Sequence, residues 1–151
     1  MRKANTVLSK LLMAAITLPL PFLLLACGSD DDSNSGGCEN VACTLIYISL
    51  SVTIVDGTDA PVALDSYTVI DTQNNRNLPP DFSADSFENM QATGRYVFFS
   101  DFWRDDYRNE STVLRFTGFL NGTEVIMTEL EVNADCCHVS LVSGDVDLIV
   151  D

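Results

Sequence analysis

Residues 44–55 read TLIYISLSVTIV, and this alternation of apolar and polar side chains decides the fold of the chain. One face of the stretch is apolar and consists of Ile46, Ile48, Leu50, Val52 and Ile54. The other face consists of Tyr47, Ser49, Ser51 and Thr53. A period of two with β-branched residues is typical of a strand that turns one face to a core. The sequence therefore predicts a long first strand over residues 44–55.

Similar patterns return downstream, separated by residues that favour turns. A turn at 56–59 (DGTD) precedes an extended region over residues 62–70, which ends at the turn-rich segment 72–77 (TQNNRN). Further strands are predicted at 96–100, 112–120 and 123–132, and the last two form a hairpin about Asn121-Gly122. Residues 139–143 and 146–150 are predicted to form a final hairpin about Gly144-Asp145.

The register of the first hairpin can be argued from its faces. A two-residue turn would place Glu129 opposite Leu114, which brings a charge onto the apolar face. A three-residue loop with a left-handed glycine instead places Thr128 there and pairs Phe116 with Ile126. We predict the second register because it keeps the two faces more distinct.

Residues 78–94 are the least regular part of the chain. Pro79-Pro80 exclude a helix and a central strand locally. Asp85 and Glu88 fit a capping box, so a single helical turn over residues 87–91 is predicted, ending at Gly94. A polar loop studded with aromatic residues is predicted at 101–111.

About seven strands, almost no helix and frequent turns indicate an all-β fold, an immunoglobulin-like sandwich. Val55-Asp56, Asp59 and Pro61-Val62 resemble the first turn of transthyretin-like, carboxypeptidase-regulatory-like sandwich domains. Asp59 and Leu64 depart from that family, which usually has glycine and a small residue at these positions. The resemblance implies a non-catalytic β-sandwich module without an active site.

The chain begins with the parts of a secretory signal. Three basic residues precede an uncharged run over 11–26, which has 16 residues and is shorter than an ordinary membrane span of about 20. Leu24-Leu25-Ala26-Cys27 resembles the lipobox of bacterial lipoprotein signals at all four places. That resemblance implies cleavage before Cys27 and attachment of acyl chains, palmitate among them, to this residue. The alternative is an ordinary secretory signal with a chance cysteine.

Three segments follow from this interpretation: a signal peptide at 1–26, the lipidated cysteine and a flexible acidic tether at 27–37, and a β-sandwich domain at 38–151. Gly28 replaces the aspartate that tends to hold lipoproteins in the inner membrane, so the resemblance favours the outer membrane. Residues 30–32 (DDD) are similar to the surface-export signal of some lipoproteins, and a solvated tether is the alternative. The lipid anchor makes the membrane an expected partner.

Charge excludes one class of function. Residues 27–151 contain all 22 acidic residues and only five basic ones, all arginine, which gives a formal charge of −17. Such a surface repels phosphate backbones and anionic headgroups, so we expect no nucleic-acid binding. Membrane attachment must come from lipid because the chain after Cys27 has no lysine and no basic run.

Four cysteines remain for disulfide bonds once Cys27 is assigned to lipid: Cys38, Cys43, Cys136 and Cys137. Neighbouring cysteines point to opposite sides of an extended chain, so a bond between Cys136 and Cys137 would be strained. We therefore predict that each of them pairs with Cys38 or Cys43, with the connectivity left open. The alternative is a zinc site that also uses His138, the only histidine, but adjacent cysteines chelate one tetrahedral ion poorly. A structural role for His138 is expected.

The 101–111 loop holds two further sets of candidates. Five residues could offer oxygen ligands to calcium, but their spacing matches no recognised loop: Asp101, Asp105, Asp106, Asn109 and Glu110. We therefore expect a solvated loop and no metal or cofactor. Phe102, Trp103 and Tyr107 could instead form a ligand-binding platform for sugar or peptide, or fold back onto the sandwich.

These observations predict an outer-membrane lipoprotein, with surface exposure open, whose small acidic sandwich is a non-catalytic interaction or ligand-binding module. An envelope protein or a glycan is the expected partner. The alternative is a structural or accessory envelope lipoprotein with no dedicated ligand. An enzyme is not expected, because one histidine and no lysine after Cys27 leave few ways to build a base or a nucleophile.

Overall fold

A computed structural model of the chain describes residues 37–79 and 83–150. The strands are β1 (Ser49–Asp56), β2 (Ser66–Asp71), β3 (Arg76–Asn77), β4 (Arg95–Ser100), β5 (Glu110–Leu120), β6 (Thr123–Ala134), β7 (Val139–Ser143) and β8 (Asp147–Val150). Helix α1 spans Ala84–Thr93, and a 3₁₀ segment spans Asp101–Tyr107. The predicted signal peptide, Cys27 and all of the tether up to residue 36 lie outside the described residues.

The strands form two sheets, and the predicted all-β sandwich is confirmed. The three-stranded sheet has the order β4-β1-β8, and the five-stranded sheet has the order β3-β2-β5-β6-β7. Strands β1 and β8 run parallel, whereas β1 and β4 are antiparallel. The ladders of the second sheet are antiparallel. Among the described residues, no helix has the length and apolar character that a membrane span requires.

The core lies between the inner faces of the two sheets. Val52 and Ile54 of β1 are fully buried, as the alternating pattern predicts. The ring of Tyr67 on β2 stacks on Phe116 of β5 at 5.1 Å and meets Tyr96 of β4 edge-on at 5.6 Å. Rings from both sheets therefore meet in the middle of the sandwich, where aromatic pairs add to the burial of apolar area.

The first strand is shorter than predicted, because β1 begins at Ser49 rather than at residue 44. Leu45 is fully exposed and Ile46 is 63% exposed, so the alternating pattern does not place them in the core. The reason is covalent. Disulfides from Cys38 and Cys43 hold this part of the chain against residues 136 and 137. We call residues 38–48 the strap.

Both registers considered for the β5–β6 hairpin were wrong. Asn121 and Gly122 form a two-residue turn, and both have positive φ, 51° and 73°. The pairing then shifts by one residue between Gly118 and Phe119 of β5, because β6 has an extra residue opposite them. It places Leu130 opposite Leu114, so the apolar faces match. Neither predicted register included a bulge in β6.

The predicted final hairpin is also wrong, because β7 and β8 belong to different sheets. Strand β7 pairs with β6, whereas β8 pairs with β1. Gly144 allows the crossing: its φ is 113°, and a Cβ there would lie 2.6 Å from the carbonyl oxygen of Glu129. Only glycine gives the chain this backbone and this close approach.

Helix α1 has ten residues, where a single turn was predicted. Its N-cap is Ser83, whose side chain accepts a hydrogen bond from the backbone N–H of Ser86, so the predicted capping box is not the cap that forms. Gly94 ends the helix with a φ of 67°, as predicted. Met90 is buried, and Phe87 packs against Tyr67, which fixes the helix beside β4.

Candidate functional site

A groove of about 670 Å³ lies between α1 and the outer face of the three-stranded sheet, and we call it the outer groove. Its floor consists of Ser49, Ser51, Arg95 and Val97. Its helical wall consists of Asp85, Ser86, Asn89, Met90 and Thr93, and Tyr47 and Ser100 close one end. The serines face outward because the alternating apolar residues of β1 turn into the core. The volume is typical of sites for small ligands.

Four polar side chains of the outer groove have no side-chain partner among the described residues. Ser49, Ser51, Asn89 and Arg95 make no side-chain hydrogen bond or ion pair with any other residue in the described ranges. The opposite formal charges of Asp85 and Arg95 leave the lining formally neutral, in a chain that is strongly acidic. Donors and acceptors that converge on a concave surface can bind a neutral polar ligand.

Tyr47 gives the groove an aromatic end. The residue is 60% exposed, and its hydroxyl lies 2.9 Å from the hydroxyl oxygen of Ser100. This hydrogen bond orients the ring beside the serine-rich floor. An exposed ring next to hydroxyl and amide groups that lack partners among the described residues can stack on the apolar face of a ligand while its neighbours bind the polar groups.

The aromatic residues predicted for the 101–111 loop lie on the 3₁₀ segment and are separated by it. Phe102 is 56% exposed and meets the partly buried Trp103 edge-on at 5.1 Å. Tyr107 is only 4% exposed, and its ring meets Phe99 of the core at 5.5 Å. The structure thus brings Phe102 and Trp103 together and buries Tyr107, so the three rings do not form one exposed platform. Binding at Phe102 and Trp103 stays a prediction.

Arginines pair with the exposed carboxylates of this segment. Asp105 accepts hydrogen bonds from Arg108 and Arg104, which hold the pKa of its carboxyl below the usual range. Asp106 pairs with Arg76, whose guanidinium also lies 5.0 Å from the centre of the Trp103 ring. Within residues 37–79 and 83–150, no three histidine, cysteine or acidic side chains are grouped to hold a metal ion.

The four cysteines form two disulfides, Cys38–Cys136 and Cys43–Cys137. The prediction that each of the neighbouring cysteines pairs with one of the earlier two is confirmed. The bridges join residues 98 and 94 positions apart in the sequence. Together they fix the strap to the turn that precedes β7.

His138 lies in a chain of hydrogen bonds that sequence reasoning did not find. Its Nδ1 lies 2.8 Å from Oδ2 of Asp101, and its Nε2 lies 2.8 Å from the hydroxyl oxygen of Thr44. Asp101 also accepts backbone N–H groups from Ile48 and Val139. Burial raises the pKa of Asp101, but these hydrogen bonds outweigh it and hold the pKa below the usual range. The predicted structural role of His138 matches this arrangement, which fastens the strap to the sandwich.

The carboxylate of Asp101, the imidazole of His138 and the hydroxyl of Thr44 follow one another in the order found in the catalytic triads of hydrolases. Neither Thr44 nor His138 lines the outer groove, so a ligand there would not meet this hydroxyl. Two of the hydrogen bonds to Asp101 come from backbone groups of the strap and of β7. The clear effect of these hydrogen bonds is therefore to join three segments of the fold.

A second aspartate, Asp71, is completely buried at the end of β2. It accepts hydrogen bonds from the hydroxyls of Thr112 and Tyr107, at 2.8 and 3.0 Å, and from the backbone N–H of Gln73 and the amide of Asn74. Burial raises its pKa, but these four donors outweigh it, so the pKa lies below the usual range. One signal in the sequence pointed to it, because Tyr67, Val69 and Asp71 share one face by period two.

No protein-family model, curated sequence or solved structure matches this chain. Sequence reasoning missed the outer groove because its lining comes from three separate segments, the strap, β1 with β4, and α1.

Proposed function

We propose that the chain is a lipid-anchored envelope protein whose sandwich is a non-catalytic module that binds a neutral, hydroxyl-rich ligand in the outer groove. One observation carries the binding role: a groove of about 670 Å³ in which hydroxyl, amide and guanidinium groups converge without partners among the described residues. Glycans fit this chemistry, because their hydroxyls need both donors and acceptors and their ring faces stack on aromatic side chains.

Charge favours a neutral ligand over an anionic one. Residues 27–151 carry a formal charge of −17, and Arg95 is the one base in the lining, opposed by Asp85. A phosphate or an acidic peptide would approach against the field of the whole domain. The same field matters little for an uncharged sugar.

The groove proposal is tested with the mature chain, residues 27–151 with Cys27→Ser, on an array of neutral and anionic glycans. We expect binding to neutral glycans, followed by at least about a tenfold loss of affinity in Arg95→Ala or Asn89→Ala, since each removes hydrogen bonds to the ligand. Arg115→Ala is the matched control: Arg115 is an exposed arginine of the other sheet, paired with Glu129. Unchanged affinity in both groove variants would contradict the proposal.

Absence of any glycan binding would favour the structural or accessory role in the envelope. In that case a pull-down of the same chain from envelope extracts decides whether a protein partner exists. A partner whose binding depends on Phe102 or Trp103 would move the site to the 3₁₀ segment.

The anchor has its own support and its own test. The match of residues 24–27 to a lipobox and the uncharged run before it favour acylation at Cys27, and Gly28 in place of aspartate favours an outer-membrane location. Mass spectrometry of the native N-terminus should show an acylated Cys27, and Cys27→Ser should sharply reduce the amount of processed protein of normal size in the membrane fraction. An unmodified N-terminal cysteine would overturn the lipid anchor and leave the groove proposal in place.

A further inference from the structure

The strap presents large apolar side chains to solvent. Leu45 is fully exposed, Ile46 is 63% exposed and Val41 is 48% exposed. Tyr47 follows directly and is 60% exposed. Single apolar residues on a surface are ordinary, but four of them within seven positions form a concentrated patch, and such patches indicate an interaction surface.

The patch is held in place rather than loose. Two disulfides fix Cys38 and Cys43, and the hydroxyl of Thr44 lies within hydrogen-bond distance of His138. Beyond the patch, the backbone N–H of Ile48 is bound by Asp101. The apolar side chains therefore remain exposed although the chain that carries them is covalently fastened, and covering them would cost little further ordering of the backbone.

We infer that the strap docks on the surface of a lipid bilayer, with Leu45 and Ile46 inserted at the boundary between headgroups and acyl chains. The occupant follows from where the chain leads, and the inference rests on the proposed lipid anchor. The described residues begin at Gly37, immediately before the strap. Ten residues separate Cys27 from Cys38, and even a fully extended chain of this length spans at most about 36 Å. An acylated Cys27 thus keeps the strap beside the bilayer.

The composition of the strap suits a shallow position in a neutral bilayer. Glu39 is the one charged residue in residues 37–47, and tyrosine is a residue type that membrane interfaces favour. The domain as a whole is acidic, so anionic headgroups repel it and zwitterionic headgroups do not. Docking therefore depends on apolar burial and should not weaken when salt is raised.

Flotation with phosphatidylcholine vesicles tests the strap separately from the anchor. The chain is residues 27–151 with Cys27→Ser, which carries no lipid, and the described residues belong to one compact unit. We expect it to float weakly with the vesicles, and Leu45→Ser with Ile46→Ser to lower the partition coefficient at least about tenfold. Val142→Ser with Ile149→Ser is the matched control, because these two residues lie outside the strap, on β7 and β8, and are 53% and 59% exposed.

The outcomes separate the explanations. Equal flotation of the strap variant and the control, or no flotation of the parent chain at any lipid concentration, would overturn the inference even where Cys27 proves to be acylated. Flotation that needs phosphatidylglycerol and disappears at high salt would also contradict it, because it would show an electrostatic surface. Peptide mapping of both disulfides in each variant confirms that the strap is still fastened.

Discussion

The two ends of the 3₁₀ segment are each held by an aspartate, but the two arrangements differ. At the start, Asp101 binds the backbone N–H groups of Ile48 and Val139 and the ring of His138. At the other end, Tyr107 donates to Asp71, which is completely buried. The first carboxylate joins backbone segments near the edge of the domain, and the second gathers side chains in its interior.

The difference lies in what remains if the carboxylate is lost. Asp101 joins segments that two disulfides already hold together, because Cys137 precedes its partner His138 directly. The segments around Asp71 share no covalent link, since both described disulfides lie at the strap. A covalent connection makes one polar network partly redundant, whereas the other must be complete to be tolerated in the core.

Among single substitutions, the largest effect is expected from Asp71→Ala. The change leaves the hydroxyls of Tyr107 and Thr112, the amide of Asn74 and the N–H of Gln73 without their acceptor, and two of these donors are in the buried interior. We expect a loss of about 4 kcal/mol in the free energy of unfolding. Urea unfolding followed by circular dichroism measures it.

Asp147→Ala is the control for that change, because Asp147 is an exposed aspartate of β8. It should alter the free energy of unfolding by no more than about 0.5 kcal/mol. A loss under about 1 kcal/mol for Asp71→Ala would mean that water replaces the carboxylate. The proposed contrast between the two ends would then fail.

The second prediction concerns the disulfides, whose effects should not add. With one bridge in place, the other closes only a short ring through residues 38–43 and 136–137, whereas a lone bridge closes a loop of more than 90 residues. Replacing one pair by serine should therefore cost about 2–3 kcal/mol, and replacing both should cost more than twice as much. Urea unfolding of the two variants that lack one bridge and of the variant that lacks both shows whether the double loss exceeds the sum of the single losses. Strictly additive losses would show that the bridges act independently.

Much of the fold could be predicted from the sequence, because it depends on local periodicity and on counting. The sandwich follows from period-two strands such as residues 49–56, and the disulfides follow from an even number of cysteines in two separated pairs. The β5–β6 register could not be predicted, because it depends on a bulge opposite Gly118 and Phe119 that no turn residue marks. The separation of β7 from β8 likewise depends on which sheet has a free edge.

The candidate site was harder to predict than the fold. The outer groove exists because Phe87 and Met90 fix α1 against Tyr67, which sets the helix beside a serine-bearing strand far away in the sequence. The Asp101 network needs residues 44, 48, 138 and 139 together, and no local pattern relates them. Aromatic residues at 102, 103 and 107 suggested one surface, but the 3₁₀ turn directs Tyr107 inward.

The third prediction tests the redundancy at Asp101 through pH. Because the pKa of Asp101 lies below its unfolded value of about 3.9, its stabilising effect is present above that pH and is lost as the pH falls through the folded pKa. Asp101→Asn should therefore cost about 1–2 kcal/mol at pH 7, and the difference from the parent should shrink below about pH 4. Thermal unfolding of both proteins between pH 7 and pH 2 measures this difference.

The same substitution without the Cys43–Cys137 bridge sharpens the comparison. If the disulfide makes the Asp101 network partly redundant, Asp101→Asn should cost more when both cysteines are serine than when the bridge is present. Equal costs in the two backgrounds would show that the carboxylate and the bridge act independently. The redundancy proposed for this end of the segment would then be wrong.

The smallest effect is expected in the fluorescence of Trp103, the only tryptophan of the chain. Trp103 lies between the two ends of the 3₁₀ segment, partly buried against the core, with the Arg76 guanidinium 5.0 Å from its ring and also 6.0 Å from that of Tyr107. Arg76 thus links Trp103 to the Tyr107 end, where Asp71 lies. Asp71→Asn, which puts an amide donor among the donors of Tyr107 and Asn74, should loosen this end and shift the Trp103 emission to longer wavelength in the folded protein.

Two further variants test this explanation. Asp101→Asn should leave the Trp103 emission unchanged while the disulfides are intact, and Arg76→Ala should reproduce the shift by exposing the ring directly. Equal shifts for Asp71→Asn and Asp101→Asn would show that the 3₁₀ segment responds as one rigid unit, and the contrast between its two ends would have no consequence for the surface that carries Phe102 and Trp103.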